Sequence, residues 1–307
     1  MPESFMKIIE EICNEEGISY KLLSKDYVYI LTKDGVNRFL SGHKFDTNRH
    51  GMGLVCDDKY ALYDILKNLD ISVCEHAICY RPNNDNDYAV GCNTYEYVHE
   101  YFKSHDNHIV IKPNNGTCGH GVYNVTEESE IDGILDTLFP GNFSISICPF
   151  YETDNEYRVI MLEHECVICY AKYLPIVIGD GKSTVRELLL KFNEPFFKDK
   201  LESSKYDRVL DSGEEYKYTW KFNLSQGSIA KNIEDIELKN RVVSLAKRVS
   251  DEINLEFGSV DIINDHGDLK VLEVNSGVMT ENYINQFEEG YSVAKEMYRK
   301  AILNMFK

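Results

Sequence analysis

The chain has 307 residues, 43% of them hydrophobic, enough to bury a substantial core arranged as two or three compact lobes. Its 51 acidic residues against 33 basic ones leave a formal charge of −18, which repels nucleic-acid phosphates and anionic membrane surfaces, and no continuous basic groove runs through the sequence to compensate. The amino terminus has no basic region followed by an apolar core, and no apolar run is long enough to span a bilayer, so a cytoplasmic protein with no nucleic-acid or membrane partner is expected.

In chain order, residues 6–16 and 58–69 carry apolar side chains at helical spacing, while Tyr27-Val-Tyr-Ile-Leu31 and His108-Ile-Val-Ile111 read as strands between polar turns. Low complexity is confined to the turn Pro82-Asn-Asn-Asp-Asn-Asp87. A strand pair is expected at about 143–150 and 157–163, then strands at 166–173 and 176–178. The stretch from about 192 to 228, charged and aromatic, has the weakest periodicity and reads as a lid or mobile connection. From Glu234 to Ile253 the residues Ile236, Val243, Ala246, Val249 and Ile253 recur at three- and four-residue steps, so one face of a long helix should lie on a sheet. Helices and strands alternate irregularly, which implies an α+β fold. The nine cysteines form an odd, scattered set and read as reduced thiols. Cys166 and Cys169 have the spacing of a redox or zinc pair, but on a regular strand they point to opposite faces and read as small buried hydrophobes.

Two segments carry chemistry. In Ile109-Val-Ile-Lys-Pro-Asn-Asn-Gly-Thr-Cys-Gly-His-Gly-Val122, three glycines at 116, 119 and 121 would let the backbone turn with positive φ and bring its N–H groups to phosphate oxygens. Lys112, fixed beside Pro113, would reach the same phosphates. The spacing matches neither the dinucleotide fingerprint nor the P-loop, and an ordinary hairpin turn is the plainer alternative. Downstream, Val260-Asp-Ile-Ile263 and Leu269-Lys-Val-Leu-Glu-Val-Asn275 are joined by the hairpin composition Asn264-Asp-His-Gly-Asp268. With Ile263 opposite Leu269 and Asp261 opposite Val271, the side chains of Asp261, Glu273 and Asn275 share a face. Two carboxylates and an amide oxygen are Mg²⁺ donors, whereas the plain alternative, a solvated acidic face, leaves Glu273 inside the apolar run Val-Leu-Glu-Val.

Five segments in order resemble ATP-grasp carboxylate–amine ligases: Lys112-Pro-Asn-x-Gly-x-x-Gly-x-Gly-Val, Glu156-Tyr-Arg-Val159, Ile178-Gly-Asp-Gly-Lys-Ser-Thr-Val-Arg-Glu-Leu188, Asn223-Leu-Ser-Gln-Gly227 and Glu273-Val-Asn275. The likeness is greatest to the ATP-grasp regions of cyanophycin synthetase and bifunctional glutathione synthetase, and covers about residues 57 to 280. It implies an ATP-grasp fold, with two α+β lobes gripping ATP after a short N-terminal α/β lobe. The expected divisions are 1–57 for that first lobe, 58–148 for the central lobe with the glycine loop, and 149–307 for the C-terminal lobe with lid and metal site.

The resemblance assigns Lys59 and Lys112, with Asn115, Gly116, Gly119 and Gly121, to the phosphates. It assigns the hinge Pro149-Phe150-Tyr151 to adenine and Glu156 to the ribose. Arg158 and Lys172 fall near the transferred phosphoryl group or the acyl substrate, Asn223 where the closing lid would meet the intermediate, and Asp261, Glu273 and Asn275 match ligands of two Mg²⁺ ions, for which Mn²⁺ could substitute. Gly179-Asp-Gly181 reads as a structural turn entering a helix from Thr184 to Leu190, capped by Ser183 or Thr184.

The implied reaction joins a small carboxylate to an amine, on amino acids or small peptides, through an acylphosphate. A small-molecule kinase or a nucleotide-binding regulatory protein is the alternative, and a homodimer is compatible with the family. The large extra domains of those relatives are absent, so a stand-alone ligase is expected. Ser259 replaces an arginine found in several relatives, and Ser276-Gly277 replaces the usual Pro-Gly after the metal asparagine. Both departures leave open which cation stabilises the acylphosphate and how substrate meets that turn.

Overall fold

A computed structural model of the chain describes residues 1–82, 92–116 and 119–307. Most of the Asn/Asp-rich turn at 82–87, and Thr117 and Cys118 of the glycine loop, therefore lie outside the described residues.

The chain opens with helix α1 (Glu3–Glu15), whose Phe5, Ile8, Ile9, Ile12 and Cys13 are buried at the spacing of one helical face. Four antiparallel strands follow in simple order: β1 (Ser19–Leu23), β2 (Val28–Lys33), β3 (Val36–Ser41) and β4 (Lys44–Phe45). Asp34 and Gly35 both take left-handed φ in the tight β2–β3 turn, which matches the twist of the strands it joins. Helices α2 (His50–Asp57) and α3 (Lys59–Asn68) come next, and the Asp58 side chain caps α3 by accepting from the Ala61 N–H at 2.8 Å.

The second sheet is built from β5 (Ala77–Tyr80), α4 (Tyr95–Ser104), β6 (Ile109–Pro113), β7 (Tyr123–Val125), α5 (Ile131–Leu138) and β8 (Ser144–Pro149), with strand order β5-β8-β6-β7. Ile109, Ile111, Ile145 and Ile147 pack one of its faces against α4 and α5. Strand alternation then turns Lys112 and its cross-strand partner Ser146 to the opposite face.

The third sheet and its insertions take in β9 (Glu156–Leu162), β10 (Glu165–Tyr173), β11 (Ile176–Ile178), α6 (Val185–Phe197), β12 (Glu215–Lys217), β13 (Ile229–Lys231), α7 (Ile236–Ile253), β14 (Phe257–Asp265) and β15 (Asp268–Asn275). Its order is β13-β10-β9-β14-β15. One face packs on α7, α2 and α3, and the other on the N-terminal sheet, α1 and the closing helices α8 (Glu281–Gln286) and α9 (Gly290–Asn304). No helix among the described residues is long and apolar enough to cross a membrane.

The structure corrects five expectations. Strands β8 and β9 lie where the sequence reading put them but do not pair, because residues 150–155 carry the chain from the second sheet to the third. On α7 the buried stripe is Val242, Ala246, Val249 and Ile253, while Ile236 is 73% exposed. Extra residue Leu272 makes a bulge on β15, so Asp261 faces Glu273 rather than Val271 and Lys270, not Leu269, faces Ile263. A second bulge at Val167 on β10 puts Cys166 and Cys169 on the same face, where they pack against the core under α7. The lid segment is better ordered than its periodicity implies, since α6, β11 and β12 share a small core of Val177, Val185, Leu189, Phe197, Leu201, Tyr206 and Leu210. Thr184 starts α6 with a full capping box to Glu187, and the helix continues through a kink at Asn193 to Phe197.

Strand β9 is the middle of the third sheet, and fully buried Met161 packs into the core beneath α7. Met161→Ala should cost about 2–5 kcal/mol of stability, read as a lower urea midpoint at unchanged slope; an unshifted midpoint would contradict this placement of the core.

Candidate active site

The second and third sheets face each other across a narrow recess lined by Cys56, Asp57, Lys59, Leu62, Gly116 and residues 272–275. On one wall, Gly119 and Gly121 hold φ of +70° and +65°, a conformation that glycine adopts without strain. Gly116 lacks positive φ and is small for another reason: a Cβ there would lie 3.0 Å from the Pro113 ring. Lys59, in the first turn of α3, donates to the carbonyls of Asn114 at 3.2 Å and Gly116 at 2.6 Å. Buried Asn114 in turn accepts from the Tyr60 N–H at 3.1 Å, so helix and loop form one piece. Burial pushes the Lys59 ammonium down, with Glu273 across the recess opposing the shift and Lys112 reinforcing it. Asn115 is exposed at the mouth of the loop.

Lys112 is 8% exposed, and its ammonium has no side-chain hydrogen bond or ion pair among the described residues. Leaving an ammonium buried without a partner is costly unless a ligand or water completes it. Next to it, His76 is 3% exposed, its Nδ1 lies 2.7 Å from Ser146 Oγ, and its Nε2 is buried without a hydrogen-bond partner. Burial, then the charges of Lys112 and Lys59, hold this imidazole neutral, well below its usual pKa.

The other wall is a network of buried charge. Asp261, 1% exposed, lies opposite Arg158 on β9 and Glu273 on β15. Arg158 Nε donates to Asp261 Oδ1 at 2.7 Å while Nη2 donates to Oδ2, a two-point grip that only a guanidinium provides. Lys172 reaches the same carboxylate at 3.3 Å and is ion-paired with Glu156. Burial alone would raise the Asp261 carboxyl; Arg158 and Lys172 bring it well below the usual carboxylate range. Asn275 Nδ2 donates to Glu273 Oε1 at 3.1 Å.

The expected phosphate, metal and charged residues thus converge, though in pairs the sequence does not announce: Lys59 with the loop carbonyls, Arg158 with Asp261, and Lys172 with Glu156. At the hinge, the Phe150 N–H donates to the His108 carbonyl at 3.1 Å, its ring stacks on His108 at 4.1 Å, and the Tyr151 hydroxyl accepts from the Glu75 N–H at 2.9 Å. The Phe150 N–H is therefore committed to His108. Pro149 ends β8 and opens the link to β9. Asn223 lies at the glycine loop, its Nδ2 3.2 Å from where a Cβ on Gly119 would be.

Sequence reasoning singled out Gln226 only as part of the motif Asn223–Gly227, and missed His76, Trp220 and Lys221. His76 carries no local signal because its partners come from three other elements. The run Trp220-Lys221-Phe222 before Asn223 was readable as a basic, aromatic approach to the loop.

Among the described residues no group of three or more His, Cys, Asp or Glu side chains forms a metal cage. The set Asp261, Glu273 and Asn275 instead fits a hard divalent cation that takes its remaining ligands from phosphate and water. Directly opposed carboxylates repel, and a cation between them relieves the repulsion.

Because Arg158 and Lys172 are both neutralised through Asp261, Asp261→Asn should destabilise the fold by about 3–5 kcal/mol. Glu273→Gln, which breaks no ion pair, should cost under about 1 kcal/mol. Equal denaturation midpoints for the two variants would contradict this division.

No family model matches the chain. It is 27% identical over 195 residues to a cyanophycin synthetase of Geminocystis herdmanii, a match covering 56% of this chain and 22% of that protein. It is 28% identical over 234 residues to a glutathione biosynthesis bifunctional protein of Clostridium perfringens, covering 73% of this chain and 28% of that protein. The chain therefore spans only about a quarter of the length of these relatives. Among solved structures it resembles a bifunctional glutathione synthetase from Pasteurella multocida with TM-score 0.55 and 17% identity, over 96% of this chain and 44% of that one. It also resembles a D-alanine–D-alanine ligase from Bacillus anthracis with TM-score 0.53 and 16% identity, over 82% and 66% of the two chains. These likenesses, to ligases of one architecture, give the chain the ATP-grasp fold.

Proposed function

We propose that the chain is an ATP-dependent carboxylate–amine ligase that forms an amide through an acylphosphate and releases ADP and phosphate. The observation that carries this reading is the buried ammonium of Lys112, without a side-chain partner among the described residues, beside Lys59 and the glycine loop and facing the opposed carboxylates Asp261 and Glu273. Paired cations on one wall and paired carboxylates on the other suit a polyanion that arrives with a divalent cation.

In this reading Lys59, Lys112 and the N–H groups around Gly119 and Gly121 hold the phosphates, and the Pro149–Tyr151 hinge holds the base, with Glu156 beside the ribose. Asp261, Glu273 and Asn275 would hold Mg²⁺, as two ions or with Mn²⁺ in its place; when bound, the metal supplies neutralisation of phosphate charge. A carboxylate oxygen of the substrate attacks the γ-phosphorus, ADP leaves, and an amine then displaces phosphate from the acyl carbon. Little covalent help is needed from side chains, so positioning and charge dominate. Arg158 and Lys172 face the transferred group while the carboxylates keep them in place, and the lid excludes water that would hydrolyse the acylphosphate. Amino acids or small peptides are the proposed substrates, in a cytoplasmic setting where ATP is supplied.

The test is ADP release across a panel of amino acids and short peptides, with mass spectrometry of the products. The reading expects turnover that needs both an acid and an amine, and a product equal in mass to the two less water. A stable phosphorylated product formed without amine would make the chain a kinase, and no ADP release with any pair would overturn the ligase reading. Glu273→Gln should lower turnover by at least about 100-fold with the fold intact; normal turnover would remove the metal assignment.

A further inference from the structure

Strand β10 carries two half-exposed cysteines on the side that α7 covers, away from the charged network of the cleft. The bulge puts them there. Val167 and Ile168 are consecutive, yet both pack against the opposite core, the one shared with α1 and α9, so Cys166 and Cys169 are left facing the same way. On a regular strand the period of two would have separated them. The Cys166 thiol donates to the Ile168 carbonyl at 3.7 Å, which turns its sulfur along the strand, and the Cys169 thiol reaches that sulfur as a hydrogen-bond donor.

The other described cysteines are of a different kind. Cys13, Cys56, Cys74, Cys79 and Cys148 are buried, and burial pushes each of their thiols up. Cys166 is shifted the other way: the hydrogen bond from Cys169 holds its thiol below the usual range, with Lys239 in the first turn of α7 helping and burial and Glu165 opposing. Cys169 is pushed up by the same bond and by burial, so it keeps its proton where Cys166 gives one up.

A half-exposed thiol that ionises readily, with a second thiol touching it, has both parts that thiol–disulfide exchange needs. A zinc site would need more ligands, and no group of three His, Cys, Asp or Glu forms among the described residues. The backbone also permits the two sulfurs to be joined. Residues three apart on a regular strand lie about 10 Å from each other, beyond the roughly 7 Å that a disulfide spans between Cα atoms, but a bulge bends the strand and shortens that distance. From Glu165 to Tyr170 the described ladder of β10 is to β9 alone, since β13 joins only at Ala171–Tyr173. This stretch can therefore tighten at Val167 without breaking a ladder on its other edge.

We infer that Cys166 and Cys169 form a thiol–disulfide exchange site, in which Cys166 attacks a low-molecular-weight disulfide and Cys169 resolves the product. The Cys166 sulfur bonds to one sulfur of the small disulfide, whose S–S bond breaks, and the first small thiolate leaves and takes up a proton. Cys169 then gives up its proton and attacks the Cys166 sulfur, and the second small thiolate leaves and is protonated. The two cysteines lose two electrons and two protons to form one S–S bond, and the small disulfide is reduced to two thiols. The site lies on the opposite face of the sheet from the cleft and is independent of the ligase reading.

The test treats the full chain with oxidised glutathione, blocks the remaining thiols by alkylation in acid-quenched samples, and maps the peptides by mass spectrometry. The unaltered chain should show the peptide holding residues 166–169 lighter by two hydrogens, with both cysteines protected from alkylation until dithiothreitol is added. Cys169→Ser should stop at a mixed disulfide on Cys166, and Cys166→Ser should slow reaction at Cys169 by about tenfold or more. Both cysteines alkylated as fully as in untreated protein would overturn the inference, and so would a mixed disulfide that persists on Cys166 of the unaltered chain or a Cys169→Ser variant that stays unmodified. The measurement on the unaltered chain decides the matter by itself should either variant fail to fold.

Discussion

The burial of Asp261 in the middle of a five-stranded sheet is the constraint around which the cleft is arranged. A carboxylate with 1% exposure survives as a charge only if cations reach it inside the protein. The strand register supplies them, since β9 sets Arg158 directly opposite and β10 brings Lys172 to the same oxygen. Glu156, two residues before Arg158 on β9, then balances Lys172. Four charges are fixed by one another before any ligand arrives, so this side of the third sheet is preorganised, and Glu273 stands outside these ion pairs, held by Asn275.

The opposite wall is left unsaturated. Among the described residues Lys112 has no side-chain partner, His76 Nε2 has no hydrogen bond, and Lys59 is satisfied only by backbone carbonyls of the loop it would share with a ligand. Under the proposed reading, this asymmetry would let a protein of net charge −18 attract an anion at one place. The positive groups there are held back from solution anions by burial and by a recess with little open space between Lys59 and Glu273.

The parts of this arrangement legible in the sequence are those written in consecutive residues. The glycine loop, the acidic hairpin, the α6 cap and the strand carrying Arg158 each announce themselves locally, and their order identifies the fold. What stays hidden depends on insertions of one residue or on partners far away in the chain. The bulge at Leu272 changes which residue faces Asp261, and the bulge at Val167 reverses the predicted facing of Cys166 and Cys169; neither position differs in composition from a regular strand. The lid looks irregular because its core is shared between short elements separated by turns, which no single window of periodicity samples. His76 is defined by Ser146, Lys112 and Lys59, and nothing beside it in sequence marks it.

The central claim is that the unpartnered Lys112 ammonium is one half of an anion seat whose other half arrives with the ligand. Titration calorimetry of the Mg²⁺ complex of a non-hydrolysable ATP analogue into the unaltered chain and into Lys112→Met tests it most directly. The account predicts binding by the former and a loss of at least about tenfold by the latter, with Lys112→Met no less stable, because a buried unpaired charge has been removed. Equal affinity in the two proteins, or a Lys112→Met chain that is markedly less stable, would contradict it.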